Sequence, residues 1–405
     1  MNAPLQSFDD ALAALLVNAK AIEATKTLPS LDVAGRILAR PLVSTIDVPA
    51  FDNSAMDGYA LAIADFGAMP ARFPVMQRIA AGAVGQPLAA GEAARIFTGA
   101  PIPAGCNAVV MQEDCEEIDG QLTVKGAVSP GQHIRRRGED ITAGTQVLPA
   151  GQRLQPQDIA LAASVGVAEL QVNARLKVGL LFTGDELTMP GEPLPPGGIY
   201  NSNRYALSAL LGRLGCVVND YGNVPDTAKA TRDALAEAAA ENDVVISCGG
   251  VSVGEEDHVK AAVGSLGALQ LWRIAMKPGK PLAFGRVADA AFIGLPGNPV
   301  SSFITFVLLA RPYLLKRMGA TDYLPQRIPV KAGFDWPKPD KRREFLRVKL
   351  EFDAQGEAIA RLYPNQGSGV MTSLVWGDGL IDLPAGQSVK AGDRVSYIAL
   401  SQLIG

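Results

Sequence analysis

Histidine, cysteine and aromatic side chains are scarce: the 405 residues include two histidines, four cysteines and 6% aromatics. Cys106, Cys115, Cys216 and Cys248 are scattered and form no Cys-x-x-Cys, so zinc sites and disulfide frameworks both lack support. Free, mostly buried thiols are expected. Excess positive charge is missing too. The net charge of −4 and pI near 5.4 provide no electrostatic footprint for nucleic acid or an anionic membrane. No apolar run approaches the roughly 20 residues of a spanning helix. Residues 1–22 carry Asp9 and Asp10 and lack the basic start and apolar core of an export signal, which predicts a cytoplasmic protein with no membrane partner. Neither GxGxxG nor GxxxxGK[ST] occurs, which disfavours a nicotinamide-binding Rossmann domain and a P-loop nucleotidase.

What remains is a globular composition, 48% hydrophobic and 19% charged, in a chain too long for one core, so about three or four domains are expected. Ser7 caps an amphipathic stretch from Ala11 to Ile22 that predicts a first helix. From about Val43 to Val128, short β-type runs such as Ala108–Met111 and Gln121–Val124 alternate with Gly, Pro and Asp turns, predicting a small β domain. Gly151–Val172 holds a further strand-and-helix stretch, expected to pack back on the N-terminal helix and make the first domain discontinuous. Strands and helices alternate from Leu176 to Gly319, which predicts an α/β domain on a parallel sheet. Its strands are expected at Lys177–Phe182, Cys216–Tyr221, Asp243–Ser247, Leu269–Ala275 and Ala290–Leu295, with helices near Arg204–Leu214, Thr227–Glu241 and Val300–Met318. After Pro325 only strand patterns follow, predicting a C-terminal β domain. The boundaries drawn are 1–48 with 140–174, 49–139, 175–322 and 323–405.

The most informative junction is Val244–Ser247 running into Cys248-Gly249-Gly250-Val251-Ser252-Val253-Gly254 and then Glu255-Glu256-Asp257-His258. It reads as strand, phosphate loop and acidic helix start. Glycines let backbone N–H groups approach an anion, and a helix N-terminus adds favourable dipole charge. Three acids would repel a bare phosphate, so the combination makes sense with a hard cation such as Mg²⁺ between carboxylate and phosphate. An ordinary capped βα turn is the alternative. Ligands of open α/β sheets bind beyond the carboxyl ends of the strands, and the other strand ends are polar as well: Thr183-Gly184-Asp185-Glu186, Val224-Pro225-Asp226 and Pro296-Gly297-Asn298-Pro299-Val300-Ser301. Carboxylates and glycines converging after successive strands indicate a site, although each alone reads as a solvated cap. Lys277 and Lys280 in Lys277-Pro278-Gly279-Lys280-Pro281 suit a compact oxyanion, or a solvated basic turn. Gly250-Val251-Ser252-Val253-Gly254 also matches the GxSxG elbow of serine hydrolases. That fold wants a histidine well after the serine, and only His133 and His258 exist.

Seven motifs in order carry a resemblance over nearly the whole chain: FDNSAMDGYA (51–60), FTGAPIP (97–103), RRRGED (135–140), TGDEL (183–187), GGVSVGEEDHVK (249–260), KPGKP (277–281) and GLPGNPVSS (294–302). With these the chain resembles the molybdopterin molybdenumtransferases, the MoeA and gephyrin E-domain family. The resemblance implies a multidomain α/β protein with a small β domain, an elongated discontinuous N-terminal domain and a C-terminal β-barrel-like domain. It implies a homodimer in which the α/β domain of one subunit meets the small β domain of the other, and transient contact with molybdopterin adenylyltransferase and molybdoenzyme maturation proteins. The implied reaction takes adenylylated molybdopterin and molybdate with Mg²⁺ and releases AMP. By motif, Asp185, Glu186, Asp226 and Asp257 would form the metal and substrate shell. Thr183, Gly184, Gly249, Gly250, Ser252, Gly254, Lys277, Lys280, Pro296, Gly297, Asn298 and Ser301 would hold the substrate, while Asp57, Thr98 and Asp140 would reach the cleft from the partner subunit. Lys341-Arg342-Arg343 and Gly367-Ser368-Gly369 are expected to help hold molybdate. A related adenylyltransferase or a scaffold protein is the alternative reading; the extra domains oppose the first, and the intact acids and lysines the second.

Overall fold

The computed structural model describes residues 5–69, 71–250 and 258–404. Its centre is a six-stranded sheet in the order Val217–Val224, Lys177–Thr183, Val244–Cys248, Ala290–Leu295, Pro281–Val287 and Gly267–Arg273. The first four strands are parallel, and the last two extend the sheet antiparallel. Val244–Cys248 and Ala290–Leu295 are buried at every position, as expected of parallel strands covered on both faces. The strand expected at Leu269–Ala275 is present as Gly267–Arg273, but it pairs antiparallel with Pro281–Val287, a strand the sequence reading did not name.

Helices Ser202–Leu214 and Pro299–Thr305 cover one face, and Ala228–Glu241 and His258–Leu266 the other. Asn201 caps the first of these by accepting from Arg204 N, satisfying one of the free amides at a helix start. The helix expected over Val300–Met318 is interrupted by a π-turn at Phe306–Ala310.

The first helix spans Phe8–Val17 rather than reaching Ile22, because Asn18 turns back to donate to Ala14 O and ends it. It does not pack on residues 151–172. Phe8, Ala11 and Leu15 join the core of the α/β domain instead, and the strand Glu169–Asn173 pairs antiparallel with Thr25–Pro29. A separate core of Val33, Leu38, Leu148, Leu154 and Leu170 holds that segment.

Residues 58–124 contain a curled six-stranded sheet, ordered Ala108–Met111, Gly58–Leu61, Ala93–Ile96, Phe73–Ile79, Gln121–Val124 and Cys115–Ile118. Apolar clusters lie on both its faces. In the C-terminal region, Arg343–Phe352, Ala358–Leu362, Ile328–Ala332, Arg394–Ala399 and Gly379–Leu383 close into a barrel through the pairing of the last with the first. The barrel is continuous with the α/β unit. Phe345, Leu380, Ile398 and Leu400 share its core, and Met276–Lys277 pairs in parallel with Arg343–Glu344. Among the described residues no helix is long and apolar enough to cross a membrane.

Candidate active site

The order of the central sheet places a topological switch between Lys177–Thr183 and Val244–Cys248, since the chain leaves Lys177–Thr183 for the strand on one side and later returns on the other. Crevices form at the carboxyl ends of such strands. A cleft of about 760 Å³ opens there, lined by Thr183, Gly184, Glu186, Asp226, Gly249, Gly250, Lys277, Lys280, Pro296, Gly297, Asn298 and Ser301. From the barrel side, Arg342, Gln366, Gly367 and Ser368 also line it.

Gly249 and Gly250 adopt φ of +95° and +63°, a region L side chains rarely occupy. A Cβ on Gly249 would stand 2.5 Å from Thr183 O, and one on Gly250 would stand 2.5 Å from Val259 Cγ2. The loop therefore needs glycine for both conformation and space. Asp185 is not part of the cleft lining, but its Oδ1 accepts from Asp226 N at 3.2 Å and ties the two acidic loops together. Ser252, Gly254 and Asp257 lie outside the described residues. Asn298 is the N-cap of Pro299–Thr305 by position and Pro299 its first residue, yet the Asn298 side chain makes no capping bond.

The two lysines differ. Lys277 Nζ is 3.0 Å from Glu344 Oε1 and 3.6 Å from Asp340 Oδ2, whereas Lys280 has no ion pair among the described residues. Arg342 grips Asp340 through Nε at 2.9 Å and a terminal nitrogen at 2.7 Å, which holds the Asp340 carboxyl well below the usual carboxylate range. Buried Arg347 donates to Ser373 Oγ and Gly367 O, fixing the turn that carries Gly367 and Ser368. Ser368 O accepts from Val300 N at 2.9 Å.

Asp57, Thr98 and Asp140 stand apart from this cleft. Asp57 Oδ1 accepts from Thr98 N at 2.8 Å and Thr98 Oγ1 at 2.7 Å, and these bonds lower the Asp57 pKa. Asp140 follows a charged turn in which Arg136 pairs with Asp52 and Arg137 with Asp47. Three motifs distant in sequence thus meet on the small β unit and its root, outside the cleft of the same chain.

Asn201, Asn203, Gln366, Asp340 and Glu344 were missed by the sequence reading. Asn201 and Asn203 follow the loop 189–200 and open a helix, a pattern that also reads as a simple cap. Gln366 lines the cleft, and Asp340 and Glu344 stand behind it against Lys277, because the barrel docks there.

Residues 6–166 match the MoeA N-terminal region (domains I and II), 179–316 a probable molybdopterin binding domain and 329–400 the MoeA C-terminal region (domain IV). The chain belongs to the MoeA family. A relative from Haemophilus influenzae named molybdopterin molybdenumtransferase is 39% identical, over 94% of this chain and 95% of its own. Molybdopterin molybdenumtransferase 2 of Mycobacterium tuberculosis is 37% identical, over 88% and 90%. The crystal structure of the molybdopterin biosynthesis MoeA protein of Pyrococcus horikoshii OT3 superposes with a TM-score of 0.84 at 30% identity, covering 98% of this chain and all of that one. The MoeA architecture thus extends over the whole of the described chain.

Proposed function

We propose that this chain is a molybdopterin molybdenumtransferase that takes adenylylated molybdopterin and molybdate, dependent on Mg²⁺, and yields molybdenum cofactor and AMP. The observation that carries this reading is the gathering of a glycine loop, two lysines and two carboxylates in one cleft at the sheet's switch point. The phosphate linkage of such a substrate needs backbone N–H donors and cations, which Gly249, Gly250, Lys277, Lys280 and Ser301 can supply. Molybdate, a compact tetrahedral dianion, suits the Lys280 ammonium, which has no ion pair among the described residues, together with Arg342 and the Ser368 turn.

Mg²⁺ takes oxygen ligands, commonly one or two carboxylates completed by phosphates and water. Glu186 and Asp226 offer that donor set in the cleft, with Asp185 beside them. No group of three or more His, Cys, Asp or Glu positioned to hold a metal occurs among the described residues, so the further ligands of such a cation would have to come from substrate, water or Asp257. Glu186 and Asp226 would hold it, with Asp185 and Asp257 completing the acidic shell. When bound it would neutralise phosphate charge.

We further propose a homodimer with a shared site, Asp57, Thr98 and Asp140 of the partner subunit facing this cleft. This accounts for three motif positions that lie outside the cleft of their own chain. The protein would act in the cytoplasm, in transient contact with molybdopterin adenylyltransferase and molybdoenzyme maturation proteins.

The test is AMP release from adenylylated molybdopterin with Mg²⁺, with and without molybdate, by the purified protein. Molybdate-dependent release is the expected result. No release from folded protein, or ATP consumption without need of molybdate, would overturn the reading.

A further inference from the structure

Asn203 belongs to none of the seven motifs. It is the second residue of helix Ser202–Leu214 and lines the cleft. Its Nδ2 donates to Gly297 O at 2.7 Å and to Cys248 Sγ at 3.1 Å. Cys248 is the last residue of its strand, directly before the glycine loop. Its buried thiol donates to Pro296 O at 3.3 Å and lies 3.5 Å from Ser302 Oγ. One amide and one thiol therefore fasten together the root of the glycine loop and the 296–298 turn. Both N–H groups of the Asn203 amide are spent on this brace.

Besides this brace the 296–298 turn is held by buried Pro296 and by Ser302 N, which donates to Asn298 O at 2.8 Å. Gly297 and Asn298 are exposed, and the Asn298 side chain makes no capping bond. The adjacent tie is Gly249 N to Leu295 O at 3.2 Å, one residue below the turn. A second chain of amides secures the neighbouring wall: Asn201 Nδ2 donates to Asn223 Oδ1 at 2.7 Å, and Asn223 Nδ2 to Leu187 O at 3.2 Å. These side-chain bonds add to the backbone pairing and the apolar packing that hold the strand ends around the cleft in register.

We infer that Asn203 is a positioning residue for oxyanion binding: by clamping Gly297 and Cys248 it preforms the cleft wall that stands with Lys280 and Ser301 around the anion. The inference rests on reading the cleft as an oxyanion site. An exposed turn that must be ordered at the moment of binding lowers affinity, and a clamp formed beforehand removes that cost.

Asn203→Asp keeps size and shape but replaces both donors by an acceptor facing Gly297 O. Asn203→His restores one N–H at a similar reach through Nδ1. Two readouts apply to the purified full-length protein: molybdate affinity by isothermal titration, and the rate of maleimide alkylation at each cysteine by mass spectrometry. Asn203→Asp should weaken molybdate binding about tenfold, the scale of one lost amide bond and its preorganisation. It should also speed alkylation of Cys248 while leaving Cys115 and Cys216 unchanged. Asn203→His should recover most of the affinity. If Asn203→Asp does not fold, seen as faster alkylation of all three buried thiols, Asn203→Ala carries the same expectations.

Unchanged affinity with faster Cys248 alkylation would make the brace merely structural and overturn the inference, as would no change in either readout. Wild-type protein that binds molybdate but releases no AMP would sink the transferase reading alone. Normal turnover with unchanged affinity in Asn203→Asp would sink this inference alone, and wild-type protein that binds no molybdate would sink both.

Discussion

Lys277 Nζ stands 3.0 Å from Glu344 Oε1, joining the lysine loop of the α/β unit to the barrel strand Arg343–Phe352. The Glu344 side chain is 1% exposed, and its other oxygen accepts from Trp336 Nε1 at 2.8 Å and Asp340 N at 3.0 Å. A buried carboxylate with three donors is satisfied at every side, so its role is to hold the barrel wall against the lysine loop.

Glu344→Ala should therefore destabilise the protein. It removes the acceptor of the half-buried Trp336 indole and Asp340 amide, at about 1 kcal/mol for each bond lost. The expected outcome is a clearly lower urea midpoint together with weaker molybdate binding, since the released Lys277 no longer has a fixed position. A midpoint equal to wild type would contradict the assignment.

Asp340 sets a pH signature on the same junction. The Arg342 guanidinium, with help from the Arg342 backbone N–H and Lys277, depresses its pKa well below the ordinary carboxylate range. A depressed carboxylate stabilises fully above its unfolded value, about 3.9, and that contribution is lost as pH falls through the folded value. The gap in melting temperature between wild type and Asp340→Asn should stay constant from pH 7 to pH 5 and narrow below about pH 4. A gap that widens in acid would show the sign to be wrong.

Gly249→Ala tests the loop geometry. Its new Cβ would meet the Thr183 carbonyl oxygen at 2.5 Å, and backbone in a sheet cannot move aside as a side-chain tip can. Strain of about 1–3 kcal/mol is expected from the left-handed φ alone, with loss of turnover beyond that of the stability change. Full activity in Gly249→Ala would remove the loop from the site.

Much of this was legible in the sequence where local patterning and burial agree. Val244–Cys248 and Ala290–Leu295 are short, mostly apolar runs bounded by turn residues, which suits covered parallel strands, and the polar residues following them were readable as cleft walls for that reason. Pro281–Val287 was not legible. It follows the Lys277-Pro278-Gly279-Lys280 turn and carries Gly285 in its interior, which weakens the strand pattern. The glycine is there because the neighbouring strand approaches closely: a Cβ would fall 2.2 Å from Ala268 O. Gln366, Glu344 and Asp340 were invisible for a different reason, since nothing local marks a barrel residue as lining another unit's cleft or as holding that unit's lysine. Phe8–Val17 belongs with these, for its amphipathic face was readable but not the core it enters.

The position of Asp57 leads to the last test. Asp57 and Thr98 bond each other on the small β unit, and neither lines the cleft that contains Glu186. On the proposed shared site they act in the cleft of a second copy. Asp57→Ala and Glu186→Gln proteins should each be inactive yet folded. In a heterodimer of the two, one cleft would carry both defects and the other neither. Random exchange at equal amounts makes half of the dimers mixed with one intact site each, so about one quarter of wild-type activity should return. Mixing is followed by native mass spectrometry and turnover by molybdate-dependent AMP release. Recovery near one quarter requires the two residues to come from different subunits, whereas proven exchange without recovery would place Asp57 and Glu186 of one and the same chain in each site.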